Sequence, residues 1–190
     1  MDYTNKTDEE IVLLIKKGNL ELYGALVKRY ETKMQRYAHK FLFGRNDTDD
    51  LVQDVFIKAY VNLQSFDDDR KFSPWIYRIA HNTYVNALKK KLTDKVFSID
   101  FDTFLPHPKA TETADADSEK MFTKEMLDKH MDMIGEKYRE PLILYFYEDM
   151  DYKEISQILG IPASTVGVRI KRGKEKLKEI LEKNNFVYEK

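Results

Sequence analysis

The chain has 190 residues, 42% hydrophobic and 13% aromatic, enough for one medium or two small packed domains and too apolar for wholesale disorder. Thirty-two basic residues against 33 acidic ones leave a formal net charge of −1, so overall charge selects no polyanionic partner. Cysteine is absent, which excludes disulfide frameworks and thiolate metal sites, and His39, His81, His107 and His130 lack metal-ligand spacing.

The amino-terminal Met1-Asp-Tyr-Thr-Asn-Lys6 lacks a signal-peptide core, and no apolar run approaches the ~20 residues of a membrane span. The expectation is a soluble, cytoplasmic protein without membrane insertion. Thr7 with Glu10 forms a capping-box pattern that opens a helix over 8–17, and Gly18-Asn19 ends it. A second helix, 20–43, carries Leu22, Leu26, Tyr30, Met34, Tyr37 and Phe41 along one face. After a turn at 44–47, a third helix runs to about Leu63, with Leu51, Val52, Val55, Phe56, Ala59 and Tyr60 directed inward. Asp50, Gln53 and Asp54 recur at i, i+3, i+4 and form an outward acidic stripe with Ile57 beside it. A solvated face accounts for such a stripe, whereas an isoleucine among carboxylates also suits a protein-docking surface.

Asp67–Arg70 is a polar loop without the ligand spacing of a calcium loop. Ser73 and Pro74 supply an N-cap and a first-turn proline for a fourth helix ending near Lys91. Trp75, Ile76, Ile79, Thr83 and Leu88 are read as inward, while Arg78, Asn82, Asn86 and Lys89 track the other side and end in the cluster Lys89, Lys90, Lys91. With Phe66, Phe72 and Trp75 nearby, this is the chemistry that holds single-stranded nucleic acid. Cations take the phosphates, aromatic rings take unstacked bases, and an amide reads a base edge. Core aromatics with a solubilising basic end are the alternative. His81 has no nucleophile near it in sequence, and no catalytic set emerges, so neither an enzyme nor a cofactor is expected.

Periodicity fades from Thr93. The stretch 94–120 holds seven acidic and three basic residues with Pro106 and Pro108, and reads as a flexible acidic linker. Helical pattern returns at Met121. Within it, Tyr152–Arg172 has the form of a helix-turn-helix. Ile155, Ile158 and Leu159 give the first helix one apolar face, Gly160 ends it, and Pro162 precedes the second helix, whose inward stripe is Val166 and Ile170. Ser164, Thr165, Val168, Arg169, Lys171 and Arg172 are left outward, as residues that can meet base edges or phosphates. From Ala163 to Lys183 seven basic residues stand against three acidic ones. A plain amphipathic helix pair, or the reader of an ordinary repressor, is compatible with this segment taken alone. The fold class expected is all-α, with two small helical domains at 1–93 and 121–190.

Taken jointly, these segments resemble a known family. Asp50-Leu-Val-Gln-Asp-Val-Phe-Ile-Lys-Ala-Tyr60, Leu63-Gln-Ser-Phe66 and Phe72-Ser-Pro-Trp-Ile-Tyr-Arg-Ile-Ala-His-Asn82 resemble region two of the extracytoplasmic-function subfamily of sigma-70-type sigma factors. Tyr138-Arg-Glu-Pro-Leu142 through Arg172-Gly-Lys-Glu-Lys-Leu177 resembles its region four. The resemblance implies a non-catalytic initiation factor that binds core RNA polymerase through its clamp and flap regions, recognises −35 and −10 promoter DNA, and is commonly held by an anti-sigma factor. It implies that Asp50, Gln53, Asp54 and Ile57 dock on the clamp. Phe66 and Asn82 would line a pocket for a flipped −10 base, with Phe72, Trp75, Arg78 and Asn86 around it and Lys89 and Lys90 on the adjacent backbone. Ser164, Thr165, Val168, Arg169, Lys171 and Arg172 would enter the −35 major groove. The chain departs from the family at Gly167 and Val168, where a basic and a small polar residue are common, and Pro74 precedes the tryptophan at the −10 loop.

Overall fold

The computed structural model describes residues 3, 5–43, 45–93, 127–128 and 130–183. The expected linker, 94–120, and residues 121–126 lie outside the described residues. The fold is all-α and divides into two compact units, one amino-terminal and one carboxy-terminal.

Helix α1, Asp8–Lys16, opens on the capping box: Thr7 Oγ1 accepts the Glu10 N–H at 3.2 Å, and Glu10 Oε2 accepts the Thr7 N–H at 2.8 Å. It ends at Gly18, whose φ of 108° a side chain would resist. Ile11, Val12 and Ile15 bury its inner face. Asp8 ties it to α2 (Tyr23–Phe41) by accepting from Arg29 Nη1 at 2.6 Å and from the Tyr30 hydroxyl at 2.5 Å. Burial, and then the Asp8 carboxylate, push the Tyr30 phenol well above its ordinary pKa, so it stays a donor. The expected stripe Leu22, Leu26, Tyr30, Met34, Tyr37, Phe41 is buried throughout, although a 3₁₀ turn, Leu20–Leu22, precedes the α-helix.

Helix α3, Thr48–Asn62, buries Val52, Val55, Phe56 and Ala59. Two of the residues read as inward differ: Leu51 is half-buried, and Tyr60 is 43% exposed, its ring edge-on to Tyr23 at 5.0 Å. Helix α4, Phe72–Thr93, starts one residue before the expected Ser73 cap. The Phe72 N–H donates instead to Glu9 Oε1 of α1 at 2.8 Å, and the Ser73 hydroxyl bonds to Tyr30. A distant carboxylate thus satisfies an end group that local sequence usually satisfies. The inward face of α4 is Phe72, Ile76, Tyr77, Ala80, Thr83 and Tyr84, while Trp75, Ile79 and Leu88 are half-buried at its border. The shift arises because α4 packs on α3, α2 and α1 together, so tyrosines that a two-class reading counts as polar are core. Tyr84 spends its hydroxyl on the Met34 carbonyl at 3.3 Å, and Lys58 Nζ donates to Thr83 at 3.1 Å.

Further along the chain α5 is Glu136–Phe146, α6 is Tyr152–Leu159 and α7 is Ala163–Lys183, with α5 and α7 in the second unit. Asp151 caps α6 by accepting from Lys153 and Glu154 N–H groups at 2.8 Å each, and Glu154 returns a bond to the Asp151 N–H at 3.2 Å. Gly160 takes φ 65°, as its place after α6 requires, and its N–H closes on the Ser156 carbonyl at 3.0 Å. The Pro162 carbonyl accepts the Val166 N–H at 3.1 Å, so the proline sits just ahead of α7. Val166, Ile170, Gly173, Leu177 and Leu181 form the buried line of α7. At Gly173 the helix lies so near α5 that a Cβ would stand 2.7 Å from Leu142 Cδ1. Among the described residues no helix is long and apolar enough to cross a membrane.

Candidate functional site

Three surfaces carry the residues singled out in the sequence, two on the first unit and one on the second. On α3, Asp50, Gln53 and Asp54 are exposed along one stripe, and Ile57 beside them is 61% exposed. Val61, one turn further on, is 71% exposed and lengthens the apolar edge. From α2, Glu31 and Gln35 join Gln53, Phe56 and Ile57 around a groove. Neither Val61 nor the α2 pair was singled out from sequence. Val61 follows Ile57 by four residues, a signal open to inspection, whereas Glu31 and Gln35 come from another helix and only packing brings them in. An exposed apolar edge between carboxylates has the composition of a protein-contact surface.

On α4, Trp75, Arg78, Asn82, Asn86 and Lys89 fall on one face by helical spacing, and from Arg78 onward they are exposed, as is Lys90. Beneath the start of this face sits a cluster of rings. Phe66 meets Trp75 at 5.2 Å between centroids and Phe72 at 5.8 Å, and Phe72 meets Trp75 at 5.5 Å. Phe66 and Phe72 are only 4% and 0% exposed. They differ in this from the expectation of open stacking platforms: they form a floor, and half-buried Trp75 is the member at the surface. Phe72 also packs against Tyr30 at 5.4 Å, which fixes the floor to the domain core. The face offers cations, amides and an aromatic edge, and those groups together bind a phosphate backbone and unstacked bases.

On α7, Ser164, Lys171 and Arg172 are exposed, and Val168 is half-buried between them. Arg169 is half-buried toward the core side of the helix, and Thr165 is half-buried with its Oγ1 shielded and lacking a hydrogen-bond partner. The outward line is therefore Ser164, Val168 and Lys171, with Thr165, Arg169 and Arg172 on one flank. Burial alone would raise the Tyr138 phenol, but the nearby Lys137 and Arg172 cations lower it overall. The opposite flank holds Gly167, where a Cβ would touch the Tyr152 ring at 3.4 Å. Tyr152 thus lies against the place a side chain at position 167 would take, and Lys174 lies 5.4 Å from the ring centroids of both Tyr145 and Phe146. Sequence reading missed this tyrosine, because its effect depends on a glycine fifteen residues away in another helix.

Comparison with known proteins fits this layout. Residues 26–92 match Sigma-70 region 2, and residues 124–177 match Sigma-70, region 4. The extracytoplasmic-function (ECF) RNA polymerase sigma factor SigW of Bacillus subtilis is 31% identical over 176 residues, covering 88% of this chain and 92% of that protein. The ECF RNA polymerase sigma-E factor of Escherichia coli is 30% identical over 177 residues, covering 89% and 91%. Among solved structures, CnrH in complex with the cytosolic domain of CnrY superposes with a TM-score of 0.68 at 23% identity, covering 94% of this chain and 99% of that one, a likeness of fold.

Proposed function

The chain belongs to the extracytoplasmic-function subfamily of sigma-70-type RNA polymerase sigma factors, and we propose a division of promoter recognition among its three surfaces. Its function is that of the subfamily: it directs RNA polymerase to promoters and supports initiation there. The α3 stripe of Asp50, Gln53, Asp54 and Ile57, extended by Val61, docks on the clamp of core polymerase. The α4 face receives the −10 strand, with Asn82 reading a flipped base, Trp75 offering a ring edge, and Arg78, Asn86, Lys89 and Lys90 holding the backbone. The α7 line of Ser164, Val168 and Lys171, flanked by Arg169 and Arg172, enters the −35 major groove. Thr165 serves there through its place in the helix more than through its shielded hydroxyl. The domain division that goes with this reading is 1–93 for core and −10 binding and 121–190 for −35 binding, joined by 94–120. Besides core polymerase and promoter DNA, an anti-sigma protein is the expected partner.

The observation that carries the proposal is the α4 face itself: Arg78, Asn82, Asn86 and Lys89 lie in line along the helix, and a packed ring cluster sits under its start. Extracting a base from duplex costs a few kcal/mol, and one stacked ring with one base-edge contact each return about 1–3 kcal/mol, so a pocket of this composition offsets the cost. Asn82→Ala is expected to reduce strand opening about tenfold on the preferred −10 sequence while changing core assembly less than about twofold. Fluorescence of 2-aminopurine placed in the −10 element reads the opening. Equal opening on every −10 variant, before and after the substitution, would show that Asn82 reads no base.

A further inference from the structure

The loop that leads into α4 places three consecutive carboxylates, Asp67, Asp68 and Asp69, beside a face assigned to nucleic acid. Exposed carboxylates repel phosphate, so their charge has to be answered nearby. Asp67 accepts from Arg70 Nε at 3.1 Å and from the Asp69 N–H at 3.2 Å. Asp68 is answered from α1: Lys16 Nζ donates to its carboxylate at 2.6 Å. The same ammonium donates to the Phe66 carbonyl at 2.6 Å and stands 5.8 Å from the Phe66 ring centroid. Seven residues earlier on α1, Glu9 accepts the Phe72 N–H at 2.8 Å. Seven residues are two helical turns, so Glu9 and Lys16 lie on one side of α1 about 10 Å apart.

We propose that α1 is a splint for the loop that leads into the α4 face, with Lys16 and Glu9 as positioning residues that hold its two ends, at Phe66 and Phe72. The inference rests on the assignment of the α4 face to the −10 strand, and it adds residues that precede the segment matching region 2. The bonds involved are charge-assisted, and the Lys16 side chain is mostly sheltered, so solvent screens them less than it screens a surface pair. With both ends fixed, the ring floor under Trp75 is set before DNA arrives. Without them, ordering the loop would be charged against binding of the flipped base.

The test uses full-length protein assembled with core polymerase and a promoter series carrying 2-aminopurine and single-base changes in the −10 element. Lys16→Met, which keeps the aliphatic stem, is expected to reduce discrimination between the preferred and changed −10 sequences about tenfold, with core affinity within about twofold. Lys16→Arg should restore most of it, since a guanidinium can reach the same two acceptors. Glu9→Ala, at the other end of the loop, should move discrimination in the same direction, which supplies a reading if Lys16→Met folds poorly. Wild-type discrimination in Lys16→Met and Glu9→Ala, beside a loss in Asn82→Ala, would overturn the splint alone. Unchanged discrimination in all three would overturn the α4 assignment and the splint with it. A uniform loss of opening on every sequence would also overturn it, as the mark of a merely structural role.

Discussion

Reversal of a single charge, Asp54→Lys, is expected to weaken association with core RNA polymerase by on the order of tenfold to a hundredfold without lowering the melting temperature. Asp54 is exposed on α3 beside Ile57 and near the groove bounded by Glu31 and Gln35. A partner complementary to that edge must itself be basic around an apolar centre, and a lysine there meets like charge at close range. Asp54 separates binding from folding better than Asp50 does. Asp50 lies in the first turn of α3, where the helix dipole favours a carboxylate by about 0.3–1 kcal/mol, so its reversal would disturb the helix as well. Asp54 lies one turn further on, outside that influence. The effect should shrink with added salt, because screening at 1 M acts within about 3 Å. Binding of fluorescently labelled protein to core polymerase at two ionic strengths reads both features. Unchanged affinity at low salt would remove this face from the docking surface.

The second large effect is expected at α7. Arg172→Ala should lower −35-dependent binding of the holoenzyme by on the order of tenfold or more. Arg172 is exposed on the flank of the groove-facing line, where its five fixed donors suit a base edge or a phosphate. The form of the loss distinguishes two contacts. If Arg172 meets phosphate, affinity falls evenly across −35 variants and the slope of log K against log salt decreases by about 1. If it reads a base, discrimination at one −35 position relaxes by about 1–3 kcal/mol while the slope is kept. Titration of holoenzyme with −35 variant duplexes at several salt concentrations measures both. Full −35 dependence at an unaltered slope would take Arg172 out of the interface.

Much of this was legible in the sequence for specific reasons. The α1 capping box, the six-residue stripe of α2 and Gly160 between α6 and α7 are local signals, set by spacing within one or two turns, and each stands in the structure as read. The outward stripe on α3 and the line Arg78, Asn82, Asn86, Lys89 are local in the same sense. What escaped was tertiary. Tyr77 and Tyr84 count as half-polar in a periodicity count, yet burial among three helices makes them core. For Phe66 and Phe72 local sequence leaves base-stacking and core roles open, and the choice is made by contacts from elsewhere in the chain: the Tyr30 ring against Phe72 and the Lys16 ammonium near Phe66. Gly167 looked like a missing contact, and the Tyr152 ring over it is visible only once the helices pack. Gly173 carried no signal at all in sequence, although a close approach to Leu142 depends on it.

The most direct test of the central claim is transcription by bacterial core RNA polymerase on a randomised promoter library, with and without this protein. The account predicts transcripts that depend on the protein and start from sites sharing one −35/−10 pair. It also predicts weak or no binding of that promoter by the protein alone. Tight sequence-specific binding of a palindromic operator by the free protein, with core polymerase making no difference, would contradict it.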